Sequence, residues 1–178
     1  MPIAAYALPF GLRDVKLTPL GADGETPGTA VDLPASRTFS FSETEDFEEF
    51  TGDDSVLATH GAGPRIEWSL EGGGISVDAL KVIAGGTVTQ TGTTPNVKKT
   101  LAKKGTDTRP YFKVEGQVIS DNGGDVHAIV WKCKADGDIG GEFSGGSFFL
   151  TGASGKGFAT AADKLWDLVH NETAAVIT

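Results

Sequence analysis

A single cysteine, Cys133, rules out an internal disulfide framework and the small secreted scaffolds that depend on one. Positive charge is also scarce: 15 Lys and Arg face 24 Asp and Glu, a formal net charge of −9. Sequence-independent binding to DNA phosphates needs a basic surface, so this balance argues against it, and equally against an anionic membrane partner. No apolar run approaches the ~18–20 residues of a membrane-spanning helix. The opening MPIAAYALPFGLRDVKLTPL has neither a basic start nor an apolar stretch followed by a cleavage site. No signal peptide is therefore expected, and the chain is expected to fold in a reducing cytoplasm.

Recognisable chemistry is equally thin. GASGKGF (152–158) looks superficially like a phosphate loop, but the spacing is wrong and no Ser or Thr follows Lys156 to reach magnesium. DGDIGGE (136–142) clusters carboxylates without calcium-loop spacing and reads as a polar turn. His60, His127 and His170 lie far apart without local ligand partners and read as solvated or packed side chains. There is no nucleophile-elbow pattern. Asn171-Glu172-Thr173 matches a glycosylation acceptor, which means little without a secretory signal. Cys133 reads as a small apolar filler in a strand. No catalytic, cofactor or metal residue is assigned, and an enzyme is not expected.

What is present is glycine: 25 of 178 residues, about twice the usual ~7%, dispersed and without a collagen period. With abundant Thr, Ser and Val this reads as short strands joined by tight turns. The length suits one domain able to bury roughly 70% of its unfolded surface. Arg13–Pro19 alternates as a strand. TFSFS (38–42) places Phe39 and Phe41 on one face, and RIEWSLE (65–71) does the same with Ile66, Trp68 and Leu70. Tyr111–Ser120 and Asp125–Ala135 flank DNGG, the strongest hairpin signal. In its first arm Phe112, Val114 and Val118 alternate with Lys113, Glu115 and Gln117; VHAIVWKCK is apolar on both sides and leaves its facing open.

One helix is well signalled, at about 76–85. Ser76 is the cap, Ile75 and Leu80 are a candidate staple, Asp78 sits in the first turn, and Gly85-Gly86 form the stop. Val77, Leu80 and Ala84, with Ile83 adjoining, are its expected apolar stripe. A second short helix is predicted over 160–169, with Leu165, Leu168 and Val169 as its apolar side. The class is mainly β, sandwich or barrel-like.

Charge is unevenly placed. Seven carboxylates, Glu43, Glu45, Asp46, Glu48, Glu49, Asp53 and Asp54, fall in 43–54, and five cations, Lys98, Lys99, Lys103, Lys104 and Arg109, in 98–109. They suit either two solvated loops or a head-to-tail interface between copies, the kind of heterologous contact that builds rings or filaments.

The order of these segments is similar to that of a known family. FGLRDVKLTPL, RTFSFSETEDFEEFTGDD, IEWSLEGGGISVDALKVIAGGTVTQTGTTPN, KKGTDTRPYFKVEGQVISDNGGDVHAIV, GEFSGGSFFLTGASG and NETA run in sequence through nearly the whole chain. Together they resemble the major tail (tail tube) proteins of long, non-contractile-tailed bacteriophages, most closely those of phages infecting actinobacteria such as mycobacteria. The resemblance implies a single β-sandwich or barrel-like domain with one flanking helix, arms at 1–12 and 160–178, a core over 13–159, and a long loop at 43–61 reaching toward the next ring. It implies hexameric rings stacked head to tail into a hollow conduit for genome delivery, with inner strands near 36–45, 64–72, 110–120 and 125–135. Arg65, Glu67, Ser69, Glu71, Lys113, Glu115 and Gln117 would then line the lumen, where DNA passes without specific binding. The implied partners are further copies of the chain and other tail proteins: tape measure, tail terminator, baseplate or tail tip. The implied location is the virion tail, assembled in the bacterial host cytoplasm, with no membrane partner and no cofactor. The alternatives are a tail terminator or baseplate hub ring, or a non-enzymatic carbohydrate-binding β-sandwich.

Overall fold

The computed structural model describes residues 5–177. Alternating segments become strands because each supplies one apolar face, and those faces curl around a shared interior. Ten antiparallel strands and one helix follow in the order β1 (Pro9–Pro19), β2 (Val31–Asp32), β3 (Ser36–Gly52), β4 (Ser55–Gly73), α1 (Val77–Ala84), β5 (Thr87–Thr91), β6 (Lys98–Ala102), β7 (Phe112–Ser120), β8 (Asp125–Ala135), β9 (Leu150–Gly157) and β10 (Trp166–Asn171). The main sheet runs β2-β1-β7-β8-β9-β4-β3; β10 adds to the same side of β8 as β9, and β5–β6 is a separate hairpin.

The fold is mainly β and sandwich-like, with a strongly bent sheet that hydrogen bonds do not close. The two ends meet by packing instead. Phe39 of β3 lies over Gly116 of β7, where a Cβ would stand 2.5 Å from the ring, so only glycine admits this approach. Val15, Leu17, Ile66, Trp68, Leu70, Phe112, Val114, Val130 and Cys133 form the interior, and Trp68 meets Phe112 edge to face at 5.4 Å. Each such fully buried side chain contributes about 1.5–3 kcal/mol of transfer free energy. Burial pushes the Cys133 thiol well up from its ordinary value, which fits an inert filler.

α1 begins and ends as its residues dictate. Ser76 Oγ accepts from the Ala79 amide at 3.2 Å, and Gly85, at φ 79°, carries the chain out. The buried stripe is Ala79, Val82 and Ile83, not Val77, Leu80 and Ala84. The helix is rotated so that this stripe joins the core as α1 packs against β1, β2 and the β5–β6 hairpin, and Ile75 stays 47% exposed, outside any staple.

Three expectations are corrected and one strand, β9, is added. The acidic 43–61 segment is not a loop: β3 and β4 continue as one ribbon to a two-residue turn, with Asp53 and Asp54 both left-handed (φ 49° and 63°). Asp tolerates that conformation and the turn twists with the strands. TGASGKG is strand β9: its glycines sit where Trp68 and Ile66 cross, and a Cβ at Gly155 or Gly157 would lie 2.8 Å from those side chains. The 160–169 helix is absent. Thr160 and Asp163 form a turn, Asp163 is left-handed at φ 60°, and β10 pairs Trp166 through Asn171 with β8. Finally, Pro9–Leu12, inside the expected N-terminal arm, already belongs to β1 and pairs with β7.

Candidate assembly surfaces

The sheet's outer face falls into two halves. Across β3, β4 and β9, Ser40, Ser69 and Ser154 stand in register on neighbouring strands, as do Ser42, Glu67 and Lys156. Ser40 and Ser69 share a hydroxyl hydrogen bond of 2.7 Å. Arg65, Glu67 and Ser69 are exposed and Glu71 partly so. The cations of this half are each met by a carboxylate: Arg65 by Asp46 at 3.1 Å, Arg37 by Glu71 at 3.6 Å, and Lys156 by Asp136 at 3.5 Å.

Lys113, Glu115 and Gln117 do not join that surface. β8 and β9 stand between β7 and β4, and Glu115 and Gln117 are buried. They belong to a polar cluster on β7 and β8 closed over by residues 172–177. Asp125, fully buried, accepts from Gln117 Nε2 (2.5 Å), Asn171 Nδ2 (2.8 Å), the Ala175 amide (2.9 Å) and faces His127 Nε2 at 3.0 Å. His127 Nδ1 lies 3.0 Å from Glu115 Oε1, and Gln117 also donates to the Ala175 carbonyl at 2.6 Å. Lys113 donates to Glu115 at 2.9 Å.

Burial by itself raises the Asp125 pKa, but the donors around it outweigh that effect and hold the carboxyl down at about 2. For His127 burial favours the neutral ring, yet the hydrogen bonds to Asp125 and Glu115 prevail and its pKa is raised. Both ring nitrogens face carboxylates, and only the protonated ring can donate to both. In the sequence these residues stand apart from one another. Their one local signal is that Glu115, Gln117, Asp125 and His127 share the alternation phase on paired strands; nothing local announces the cover.

The charged segments lie on different parts of the subunit. Glu43, Glu45, Asp46, Glu48, Glu49, Asp53 and Asp54 all sit exposed on the β3–β4 ribbon, with Glu43 accepting from Trp166 Nε1 at 2.5 Å. Beyond Glu45 this ribbon is exposed along both strands, and with its carboxylates it presents Phe47 (61% exposed), Phe50 (67%), Val56 and Leu57. An unsupported two-stranded ribbon is marginal in water, and exposed large apolar groups of this kind mark contact sites.

Two of the five cations of 98–109 attach to α1. Lys99 donates to Asp78, Lys103 to the Ala84 carbonyl at the helix C-terminus, and Arg109 to the Gly137 carbonyl at 2.8 Å. Lys98 and Lys104 are exposed. Phe143 and Phe148 protrude from the glycine-rich 137–149 loop. Among the described residues, no group of three His, Cys, Asp or Glu is placed to hold a metal ion, and no helix is long and apolar enough to cross a membrane. Neither a protein-family model nor a curated protein matches this chain.

Proposed function

We propose that this chain is the repeating subunit of a bacteriophage tail tube: copies form hexameric rings, and the rings stack head to tail into a hollow conduit for the genome. The observation that carries this reading is the β3–β4 ribbon, an acidic, apolar-tipped projection exposed on both strands, on a subunit that carries Lys81, Lys99 and Lys103 together on a separate surface around α1. A surface that matches a different part of the same molecule generates rings and open stacks. The resemblance in segment order to tail tube proteins supports the same reading, and the exposed outer edge of β3 offers a strand for pairing with a neighbour.

In such a tube the lumen wall is the β3–β4–β9 half, with Ser40, Glu67, Ser69 and Ser154. Its matched charges present no net positive surface, so a polyanion can slide past without being held. Gln117 serves instead to anchor residues 172–177 through the Ala175 carbonyl, and Glu115 to hold His127. Tape measure, terminator and tail-tip proteins would meet the ends of the stack in the virion.

Negative-stain electron microscopy of the purified, concentrated protein, alone and with phage tail-tip complexes, tests this. Hollow tubes of stacked rings are expected. Single closed rings would identify a terminator or hub ring instead, and monomers under both conditions would defeat the assembly reading.

A further inference from the structure

The exposed ribbon tip defines what its partner must offer: an apolar recess for Phe47, Phe50, Val56 and Leu57, rimmed by positive charge to meet the carboxylates beside them. The subunit carries such a recess. Between α1 and the β1–β2 connection lies a cleft of about 530 Å³ with Pro19, Val31, Val82, Gly86 and Pro110 in its lining. Gly85 and Gly86 also line it, packed so closely on the following segment that a Cβ would lie 2.7 Å from the Thr108 and Ala102 carbonyls. Lys81 lines it, and Lys99 and Lys103 attach beside it, to Asp78 and to the Ala84 carbonyl. Asp78 also lines the cleft and pairs with Lys99, which leaves Lys81 and Lys103 as the net positive charge at its rim.

We propose that this cleft receives the β3–β4 ribbon tip of a second copy, with Phe50 seated between Val82 and Pro110 and the ribbon carboxylates over Lys81 and its neighbouring lysines. The inference rests on the tube reading and adds to it the docking address. The ribbon runs about eight residues beyond the Glu45–Pro64 pair, a reach of ~26 Å, enough to cross from one copy to the next. Because the exposed charges are screened over ~8 Å at physiological ionic strength, the contact weakens as salt rises.

A benzophenone side chain introduced in place of Phe50 maps the contact under conditions where microscopy reports tubes. Crosslinked peptides carrying Val82 or Pro110 of another copy are expected. A reciprocal probe in place of Lys81 should capture the ribbon tip; capture of the Tyr6–Phe10 segment instead would overturn the assignment. Tubes with the Phe50 probe attached anywhere else would remove the cleft while leaving the tube reading intact. Absence of both tubes and intermolecular crosslinks would remove both. Lys81→Glu should raise the protein concentration needed for assembly at least tenfold, and combining it with Glu48→Lys and Glu49→Lys should restore assembly. Unchanged assembly of Lys81→Glu would also count against the cleft.

Discussion

Ser40, Glu67 and Ser69 on one half of the sheet, and Glu115, Gln117, Asp125 and His127 on the other, occupy equivalent outward positions in the strand alternation. The first set is exposed and the second buried. The difference lies in what covers them. Residues 172–177 close over β7 and β8 through Ala175, and among the described residues no segment closes over β3, β4 and β9. Alternation tells which way a side chain points; it does not tell whether water or another part of the chain meets it there. The covered half must then satisfy its polar groups internally, and Gln117, His127 and Asn171 do so by converging on the Asp125 carboxylate.

That concentration makes Asp125 the place where the two halves should differ most. Asp125→Ala removes the acceptor of Gln117, Asn171, His127 and the Ala175 amide at once. Removing one member of a buried charged cluster costs about 3–5 kcal/mol, which a urea unfolding midpoint would register directly. A loss below 1 kcal/mol would mean that the C-terminal cover contributes little and that the two halves are energetically alike.

A smaller cost is expected where the halves are joined. Gly116→Ala places a methyl 2.5 Å from the Phe39 ring, so the ring, or β3 with it, must move away from β7. Overpacking of this kind costs about 1–3 kcal/mol, measurable by thermal unfolding, with the ring-current-shifted resonances of Phe39 as a local readout. An unperturbed variant would show that β3 is not held against β7.

Next comes pH. The folded pKa of His127 lies above its ordinary 6.5, so the fold stabilises the protonated ring. That contribution is full below about pH 6.5 and is lost as pH rises through the raised folded value. Asp125 behaves oppositely: its contribution is present above about 3.8 and is lost only as pH falls toward about 2. Melting temperatures recorded from pH 5 to 9 should therefore fall on the alkaline side for the native chain, and His127→Gln should flatten that fall. Identical profiles would show that the ring is not clamped as a cation.

How much of this was legible beforehand follows the range of the forces involved. α1 could be placed because its cap, first-turn acid and glycine stop are all local to residues 76–86, and the β7–β8 hairpin because DNGG and its flanks are contiguous. The buried stripe of α1 was missed because it depends on which strands the helix meets. β9 was hidden because Gly155 and Gly157 carry no strand signal; they are strand residues only because Trp68 and Ile66 need the space. β10 was misread because Leu165, Leu168 and Val169 fit a helical stripe when β8 is left out of account. The ribbon was taken for a loop because acidic residues spaced by Phe47 and Phe50 bury no face, and the strands continue through hydrogen bonding alone. Of the candidate lining residues, Arg65, Glu67 and Ser69 on β4 stay exposed as their alternation suggests, whereas Glu115 and Gln117 are buried by a cover more than fifty residues away.

The smallest stability effect is expected on the bare half, and it carries the functional distinction. Ser40 and Ser69 exchange one exposed hydrogen bond, and surface substitutions of this kind usually stay within about 0.5 kcal/mol. Ser40→Lys with Ser69→Lys should therefore leave folding nearly unchanged and tubes still forming. It would nevertheless convert a face whose cations are each matched by a carboxylate into one with unmatched positive charge, repeated in every ring. If this half lines the conduit, each passing phosphate meets new cations, and release of DNA from particles carrying the variant should slow, more so at low salt, where counterion release favours binding. Ejection at the native rate from stable tubes would separate the two ideas: the assembly would stand, and the lumen would have to lie on another face of the subunit.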